Sequence, residues 1–135
     1  MTLKFKLELA WYRFKSRCQR FIRGYSYGDV WDMRTWFMET AQPMLIHLRD
    51  YGIGIPGQLV VDGENRRAEW EAILTEMIEC IDMMDEEYVY EELYGRNWYE
   101  EDLDIEDWKR VWKTMEKNKD RFFELFREHF YDLWD

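Results

Sequence analysis

The sequence has little cysteine, histidine, proline or glycine. Its 135 residues include two cysteines, two histidines, two prolines and seven glycines. Two cysteines are too few for a disulfide framework, and the low glycine and proline content excludes collagen-like and low-complexity chains. No run of about 18 uncharged apolar residues is present, which argues against a transmembrane helix. The first residues are too charged for the apolar part of a signal peptide, so we expect a reducing, cytosolic compartment.

Apolar and acidic side chains are abundant. Hydrophobic residues make up 47% of the chain and aromatic residues 19%. This composition excludes a disordered chain, because such chains bury too little apolar area to offset the entropy of ordering. The length predicts a single domain, residues 1–135. Nineteen Lys and Arg against 29 Asp and Glu give a net charge of −10.

The charge is divided unevenly along the chain. Residues 1–24 carry seven basic residues and one acid, whereas residues 25–135 carry 12 basic and 28 acidic residues. The densest acidic stretch, residues 86–107, contains ten acids and a single basic residue, Arg96. A surface of this sign repels nucleic acid and anionic lipid and attracts basic proteins.

Apolar residues recur at three- and four-residue steps in four segments, which predicts an all-α fold. The segments span about 2–23, 27–50, 66–93 and 105–133. Each has one apolar face, and the simplest arrangement that buries four such faces is an irregular, mainly antiparallel four-helix bundle.

Several residues predict where these helices begin and end. Gly24 is expected to end the first helix, because glycine accepts the left-handed conformation of a helix C-terminus. Ser26 and Asp29 are spaced as a capping box at the start of the second helix. Asn65 is a candidate N-cap for the third.

Two stretches leave alternatives open. Residues 2–9 also alternate between apolar and charged positions, as a strand would; we interpret them as helix because later residues continue only the helical period. Pro43 removes a backbone donor inside the second segment, so a kink, or a meeting of two helices, is expected there. Residues 59–61 are long enough to pair briefly as a strand.

The sequence carries no motif that is specific for catalysis or for a metal. Neither His47 nor His129 has an acid three residues before it, which excludes the Glu-x-x-His pattern of di-iron bundles. The glycines of residues 52–57 have dinucleotide-loop spacing but lack the strand before and the helix directly after that the loop requires, so we interpret them as a turn. We therefore predict that the protein is not an enzyme and uses no metal or cofactor.

The acidic stretch 86–107 is also rich in aromatic residues. Aromatic rings beside charges are typical of protein interfaces, where the rings anchor and the charges steer the encounter. The alternative interpretation is that the rings cover one end of the core and the acids are only solvated. The candidate binding surface consists of Tyr88, Tyr90, Glu91, Glu92, Tyr94, Trp98, Tyr99, Glu100, Glu101 and Asp102.

The first segment combines basic residues with Trp11, Phe14 and Phe21. This combination is typical of helices that lie on membrane surfaces. The basic residues could instead contact the molecule's own acidic surface or a partner. We favour a core role, because the other three segments would otherwise leave a core face open, and we predict no membrane partner. Eight tryptophans are more than one small core readily buries, so a homodimer is included among the expectations.

Three stretches of the sequence form a recognisable pattern. They are Gly24-Tyr-Ser-Tyr-Gly-Asp-Val-Trp31, then Met44-Leu-Ile-His-Leu48 with Pro56, then Glu69-Trp-Glu-Ala-Ile-Leu-Thr-Glu-Met77. The pattern resembles a set of small uncharacterised proteins of tailed bacteriophages and prophages. The resemblance covers about residues 20–85 and departs from the family at Tyr27-Gly28, where Asp followed by a polar residue is common. It implies no activity and no catalytic residue, but it does imply a phage accessory protein made in the cytoplasm of a host bacterium.

These observations together predict a non-enzymatic phage accessory protein. It would inhibit or modulate a host protein with a basic surface, such as a defence or nucleic-acid-handling protein, without contacting nucleic acid itself. One alternative is a helical protein that sequesters a nucleotide signal, using Arg13, Arg17 and Arg20 with Trp31 and Trp36. Another is a structural protein of phage assembly.

Overall fold

The computed structural model describes residues 2–61, 64–95 and 104–134, and most of these residues are helical. The helices are α1 (Leu3–Arg23), α2 (Tyr27–Trp31), α3 (Met33–Tyr51), α4 (Arg67–Asp82), α5 (Glu86–Tyr94) and α6 (Ile105–Glu128). Short 3-10 turns span Gly57–Leu59 and Phe130–Asp132, and Val60–Val61 pairs antiparallel with Glu64–Asn65. The prediction of an all-α chain is confirmed, and so is the brief strand pairing.

The first helix and its end follow the sequence prediction. α1 covers the stretch 2–9 for which a strand was the alternative. Gly24 ends the helix in the left-handed conformation, with φ of 82°, and its N–H donates to the Arg20 carbonyl at 2.8 Å. The predicted capping box is also present, since the Ser26 hydroxyl accepts from the Asp29 N–H and the Asp29 carboxylate accepts from the Ser26 N–H.

The second predicted segment, 27–50, is interrupted at Asp32 and not at Pro43. The Asp32 carboxylate accepts from the Thr35 N–H at 3.1 Å and from the Thr35 hydroxyl at 2.7 Å, which caps the start of α3. Pro43 lies inside α3. Of the two alternatives at Pro43, a meeting of two helices is wrong, because the Asp32 cap sets the break earlier in the chain. A kink of α3 at Pro43 stays a prediction.

The third predicted segment, 66–93, consists of two helices. α4 ends at Asp82, and the Asp85 carboxylate starts α5 by accepting from the Tyr88 N–H at 2.9 Å. The apolar period continues across this turn, which is why the sequence suggested a single helix. The expected cap at Asn65 is wrong, since α4 begins after Arg66 without a side-chain cap. The fourth segment, 105–133, ends as a helix at Glu128, where the Phe130–Asp132 turn follows.

The chain forms two compact units, Met1–Ala41 and Gln42–Asp135, with the boundary inside α3. Polar contacts hold α1, α2 and the start of α3 together in the first unit. Arg20 donates two hydrogen bonds to the Asp29 carboxylate, at 2.9 and 2.6 Å, and the Trp36 indole donates to the Gly24 carbonyl at 3.3 Å. Over residues 2–41, all of them described, the buried side chains are those of Ser26 and Asp29, and both are polar.

α1 does not contribute to an apolar core. Every residue of α1 is described, and none of them is buried. Phe21 is 92% exposed and Trp11 is 66% exposed. Within the first unit, therefore, α1 contacts α2 through its polar side and fills no apolar core. The expectation that its apolar face covers a core stays a prediction.

The apolar core of the second unit lies between α4 and α6. Trp70 of α4 contacts His129 after the end of α6, with ring centroids 5.4 Å apart, and Glu76 of α4 pairs with Arg121 of α6 at 3.1 Å. Residue numbers therefore increase along α4 while those of the contacting residues decrease along α6, so the two helices are antiparallel. Each fully buried large apolar side chain contributes roughly 1.5–3 kcal/mol. The buried apolar residues of α4 and α6 are Trp70, Leu74, Met77, Ile78, Cys80, Ile81, Val111, Met115, Phe122 and Leu125.

Tryptophan burial is uneven in the part of the chain that the structure describes. Trp70 is buried and Trp36 is half-buried. The exposed tryptophans are Trp11, Trp31, Trp108, Trp112 and Trp134. Most of the aromatic content noted in the sequence therefore lies on surfaces.

Candidate functional site

The described part of the candidate binding surface is carried by α5. Asp85 caps its start, and Gly95 ends it in the left-handed conformation, with φ of 67° and its N–H bonded to the Glu91 carbonyl at 2.7 Å. Local hydrogen bonds thus determine where this nine-residue helix begins and ends. Its orientation about its own axis is determined by the side chains that it buries.

Two adjacent residues of α5 point into the core. Val89 and Tyr90 are buried against Val111 and Met115 of α6, and the Tyr90 and Tyr94 rings lie 5.0 Å apart. Because successive helical residues are about 100° apart, burying Val89 and Tyr90 turns the opposite side of α5 to solvent. That side carries Tyr88, Glu91 and Glu92.

The Tyr88 side chain lies among carboxylates from two helices. The carboxylate of Glu92 in α5 has the strongest electrostatic interaction with the phenol, and those of Asp82 and Glu79 in α4 also interact with it. Together with partial burial they raise the pKa of Tyr88 above its ordinary value, because negative neighbours disfavour a phenolate. We name Glu79, Asp82, Tyr88 and Glu92 the Tyr88 cluster; its tyrosine is 40% exposed.

One member of the Tyr88 cluster is held in place by α3. The Gln42 side-chain amide donates to the Asp82 carboxylate at 2.6 Å and to the Ile78 carbonyl at 3.1 Å. The first bond fixes the position of the carboxylate and the second fixes the amide against α4. The Asp82 side chain is therefore partly ordered, and less side-chain entropy remains for it to lose in a further contact.

The structure separates the predicted surface residues into three groups. Tyr88, Glu91 and Glu92 are exposed. Tyr90 is buried and Tyr94 is half-buried, so these two rings belong to packing and not to the open surface. The remaining five, Trp98, Tyr99, Glu100, Glu101 and Asp102, lie outside the described residues.

Sequence reasoning missed Glu79 and Asp82 as members of the site. Both lie off the apolar stripe of α4, and the sequence pattern does not distinguish them from the other acids of that helix. Their spacing from Tyr88 gives no signal by itself, because their approach depends on the change of direction at Met83–Asp85, between α4 and α5. The detectable signal was the helix-starting aspartate at position 85, which would have divided segment 66–93.

Glu92→Gln is expected to lower the pKa of Tyr88 towards that of an ordinary tyrosine, since Glu92 is the largest cause of the rise. The measurement is a pH titration of tyrosine ring carbons by NMR, with the Tyr88 signal assigned by Tyr88→Phe. Glu91→Gln is the matched control, because Glu91 precedes Glu92 on the exposed side but is not among the groups that raise the pKa. Equal shifts in the two variants would contradict the arrangement of the cluster.

Two other side chains of the second unit that could act in catalysis or metal binding, those of His129 and Cys80, are buried. His129 is buried against Trp70, and its Nδ1 lies 3.1 Å from Oδ2 of Asp132, which also accepts from the Gln58 amide. Burial, with Glu76 next, raises the pKa of the Cys80 thiol, so it stays protonated.

The cations considered for a nucleotide are partly engaged within the first unit. Of the three, Arg20 is bonded to Asp29, whereas Arg13 and Arg17 are exposed. The neighbouring Arg23 guanidinium lies over the rings of Tyr25 and Tyr27, at 4.6 and 4.5 Å from their centroids. Within the described residues, no three His, Cys, Asp or Glu side chains are grouped so as to hold a metal ion. Within the same residues, no helix is both long and apolar enough to cross a membrane.

Comparison of the chain with protein-family models, with curated proteins and with solved structures finds no match. The resemblance to bacteriophage proteins therefore stays a prediction from the sequence pattern.

Proposed function

We propose that this protein acts by non-enzymatic binding, and that the Tyr88 cluster contacts a basic surface of another protein. The observation that carries the proposal is a half-exposed phenol placed among carboxylates from two different helices. Lysine and arginine side chains of a partner would donate to these carboxylates, and the tyrosine ring would pack against their aliphatic stems.

The charge distribution supports a basic partner. Residues 25–135 carry 28 acids and 12 basic residues, so the chain beyond α1 presents an attractive field to a cationic protein. The exposed Glu91 extends the cluster along α5. Such fields mainly raise the rate of association, whereas a central aromatic residue such as Tyr88 slows dissociation.

The resemblance to phage proteins supplies the proposed context. In that context the partner is a host protein in the bacterial cytoplasm, and binding blocks or alters the basic groove by which that protein handles nucleic acid or takes part in defence. A homodimer stays part of the proposal, because Trp108 and Trp112 of α6 are exposed beside Ile105 and line an apolar depression. The mainly antiparallel four-helix arrangement likewise stays a prediction; the antiparallel α4–α6 pair is consistent with it.

The test removes the charges of the Tyr88 cluster while keeping the shapes of the side chains. The variant Glu79→Gln, Asp82→Asn, Glu92→Gln is titrated against a fluorescent arginine-rich peptide at low and moderate salt. We expect affinity at low salt to fall about tenfold and the salt dependence to flatten, since each close charge pair contributes about 0.5 kcal/mol at an exposed site.

The matched control removes two glutamates and one aspartate from α6. Glu106→Gln, Asp120→Asn, Glu128→Gln has the same change of net charge, and all three residues are exposed. If the control loses as much affinity as the cluster variant, binding follows net charge alone and the proposed site is wrong. If neither variant changes affinity, the electrostatic basis of the proposal is wrong.

A further inference from the structure

The side of α1 that contacts α2 is the polar side. Arg20 bonds to Asp29, and the Gln19 side chain accepts from the Tyr27 N–H at 2.9 Å. The Tyr12 hydroxyl lies so close to Gly28 that a Cβ at that glycine would meet it at 2.6 Å. α2 thus covers a side of α1 that a soluble helix would ordinarily leave in water.

The opposite side of α1 is apolar and open. Successive helical residues are about 100° apart, so the apolar residues of α1 fall on one arc, roughly one third of the helix circumference. This arc is centred opposite α2. The large apolar side chains of this arc are all exposed. They are Leu3, Leu7, Trp11, Phe14, Phe21 and Ile22.

Cations line both edges of this apolar face. By the same helical spacing, Lys6, Arg13 and Arg17 follow one edge, whereas Lys4 and Lys15 follow the other, together with the single acid Glu8. All five cations are exposed. A helix with an apolar face rich in Trp, Phe and Leu, bordered by Lys and Arg, matches the region where lipid acyl chains meet charged headgroups.

We propose that α1 binds flat on an anionic bilayer surface, with its apolar face in the boundary between headgroups and acyl chains. This surface shares no residue with the Tyr88 cluster, and membrane binding would be a role beyond the proposed function. The sequence argued against a membrane partner because α1 was expected to fill the core. Within the first unit α1 has no such role, since no residue of this fully described helix is buried.

Charge complementarity selects the lipid over a second copy of the chain. Two α1 faces packed together would bring the bordering lysines and arginines of both copies close to one another, and like charges at an interface are repulsive. Anionic headgroups neutralise both edges at once. The acids of the rest of the chain oppose this only where they lie within about 10 Å of the bilayer, the screening length near 0.1 M salt.

The experiment uses flotation of the full chain with vesicles of phosphatidylglycerol and phosphatidylcholine in equal parts. Phe14→Glu places a carboxylate on the apolar face, and Phe5→Glu is the matched control. The two phenylalanines are nine positions apart, which places them on opposite sides of the helix. They are also similarly exposed, at 58% and 51%.

We expect Phe14→Glu to lower partitioning about tenfold or more, since one phenylalanine leaves the bilayer and a charge replaces it. Phe5→Glu has the same change of net charge and is expected to lower it less than about threefold. Neither ring is buried, so both variants are expected to fold, which circular dichroism checks. Wild-type binding is expected to fall with added salt and on vesicles of phosphatidylcholine alone.

Three outcomes would overturn the proposal. Wild-type protein that does not float with anionic vesicles has no such surface, and this result needs no variant. Equal losses of vesicle binding in Phe14→Glu and Phe5→Glu would mean that binding depends on net charge and not on the apolar face of α1. A dimer in sedimentation that Phe14→Glu alone dissociates, without vesicle binding by the wild type, would assign the face to a second copy of the chain.

Discussion

Replacing Trp70 with alanine is expected to lower the free energy of unfolding by about 3–5 kcal/mol. Trp70 is 1% exposed and contacts His129 across the α4–α6 pair, so its removal leaves a cavity in the main apolar interface of the second unit. A loss of this size is a large part of the total stability of a small domain. Urea unfolding followed by far-ultraviolet circular dichroism measures it.

Trp31→Ala is the matched control for that prediction. Trp31 is 92% exposed, so its removal is expected to change the free energy of unfolding by no more than about 0.5 kcal/mol. The two substitutions are chemically identical, and only the tertiary environment of the side chain differs. Comparable losses in both variants would contradict the assignment of Trp70 to the core and of Trp31 to the surface.

Asp29→Asn is expected to destabilise the packing of α1 on α2 by about 1–3 kcal/mol. Removing one partner of a buried ion pair has a larger effect than this, but the Arg20 side chain is 53% exposed and water screens its charge. The variant also loses the carboxylate that accepts from the Ser26 N–H at 2.7 Å. Thermal unfolding followed by circular dichroism at neutral pH gives the difference.

The effect of Asp29→Asn is also expected to depend on pH. Bonds from Arg20 and then from the Ser26 backbone hold the pKa of Asp29 well below that of an ordinary carboxyl. The folded pKa is therefore lower than the unfolded one, so the bonds contribute fully above the unfolded pKa of about 4 and are lost as pH falls through the folded pKa. We expect the difference in stability between wild type and variant to be complete at pH 6 and to become progressively smaller below about pH 4.

Asp32→Asn is the control for the loss of stability at neutral pH. Asp32 caps α3 from an exposed position, and asparagine is also a good N-cap, so the loss is expected to be smaller than for Asp29→Asn. If the two variants lose equal stability at neutral pH, the Arg20–Asp29 pair does not hold α1 on α2.

Local signals in the sequence were reliable where one residue type determines one conformation. Gly24 and the Ser26–Asp29 box were predicted correctly, because left-handed glycine and a reciprocal cap need only the residues at that point of the chain. The helix breaks at Asp32 and Asp85 were missed, although each is also marked by a local side-chain cap. The apolar period continues across both, and a short side-chain cap gives a weaker pattern than a long apolar stripe.

The candidate site was predicted only in part. Tyr88 and Glu92 were identified from composition along one stretch, but Glu79 and Asp82 were not, since they enter the cluster through the turn between α4 and α5. Tyr90 looked equivalent to Tyr88 in sequence, and helix rotation separated them, because Val89 and Tyr90 together pack on α6.

The sequence by itself determined that this protein is helical, where its strongest caps lie and how its charge is divided. These are properties of short segments, set by backbone conformation and by a repeat of 3.6 residues. Only the tertiary structure decided which apolar faces are covered. An amphipathic pattern specifies that a face exists but not what packs on it, so α6 and α4 bury their stripes together while α1, with an equally regular stripe, is covered on its polar side.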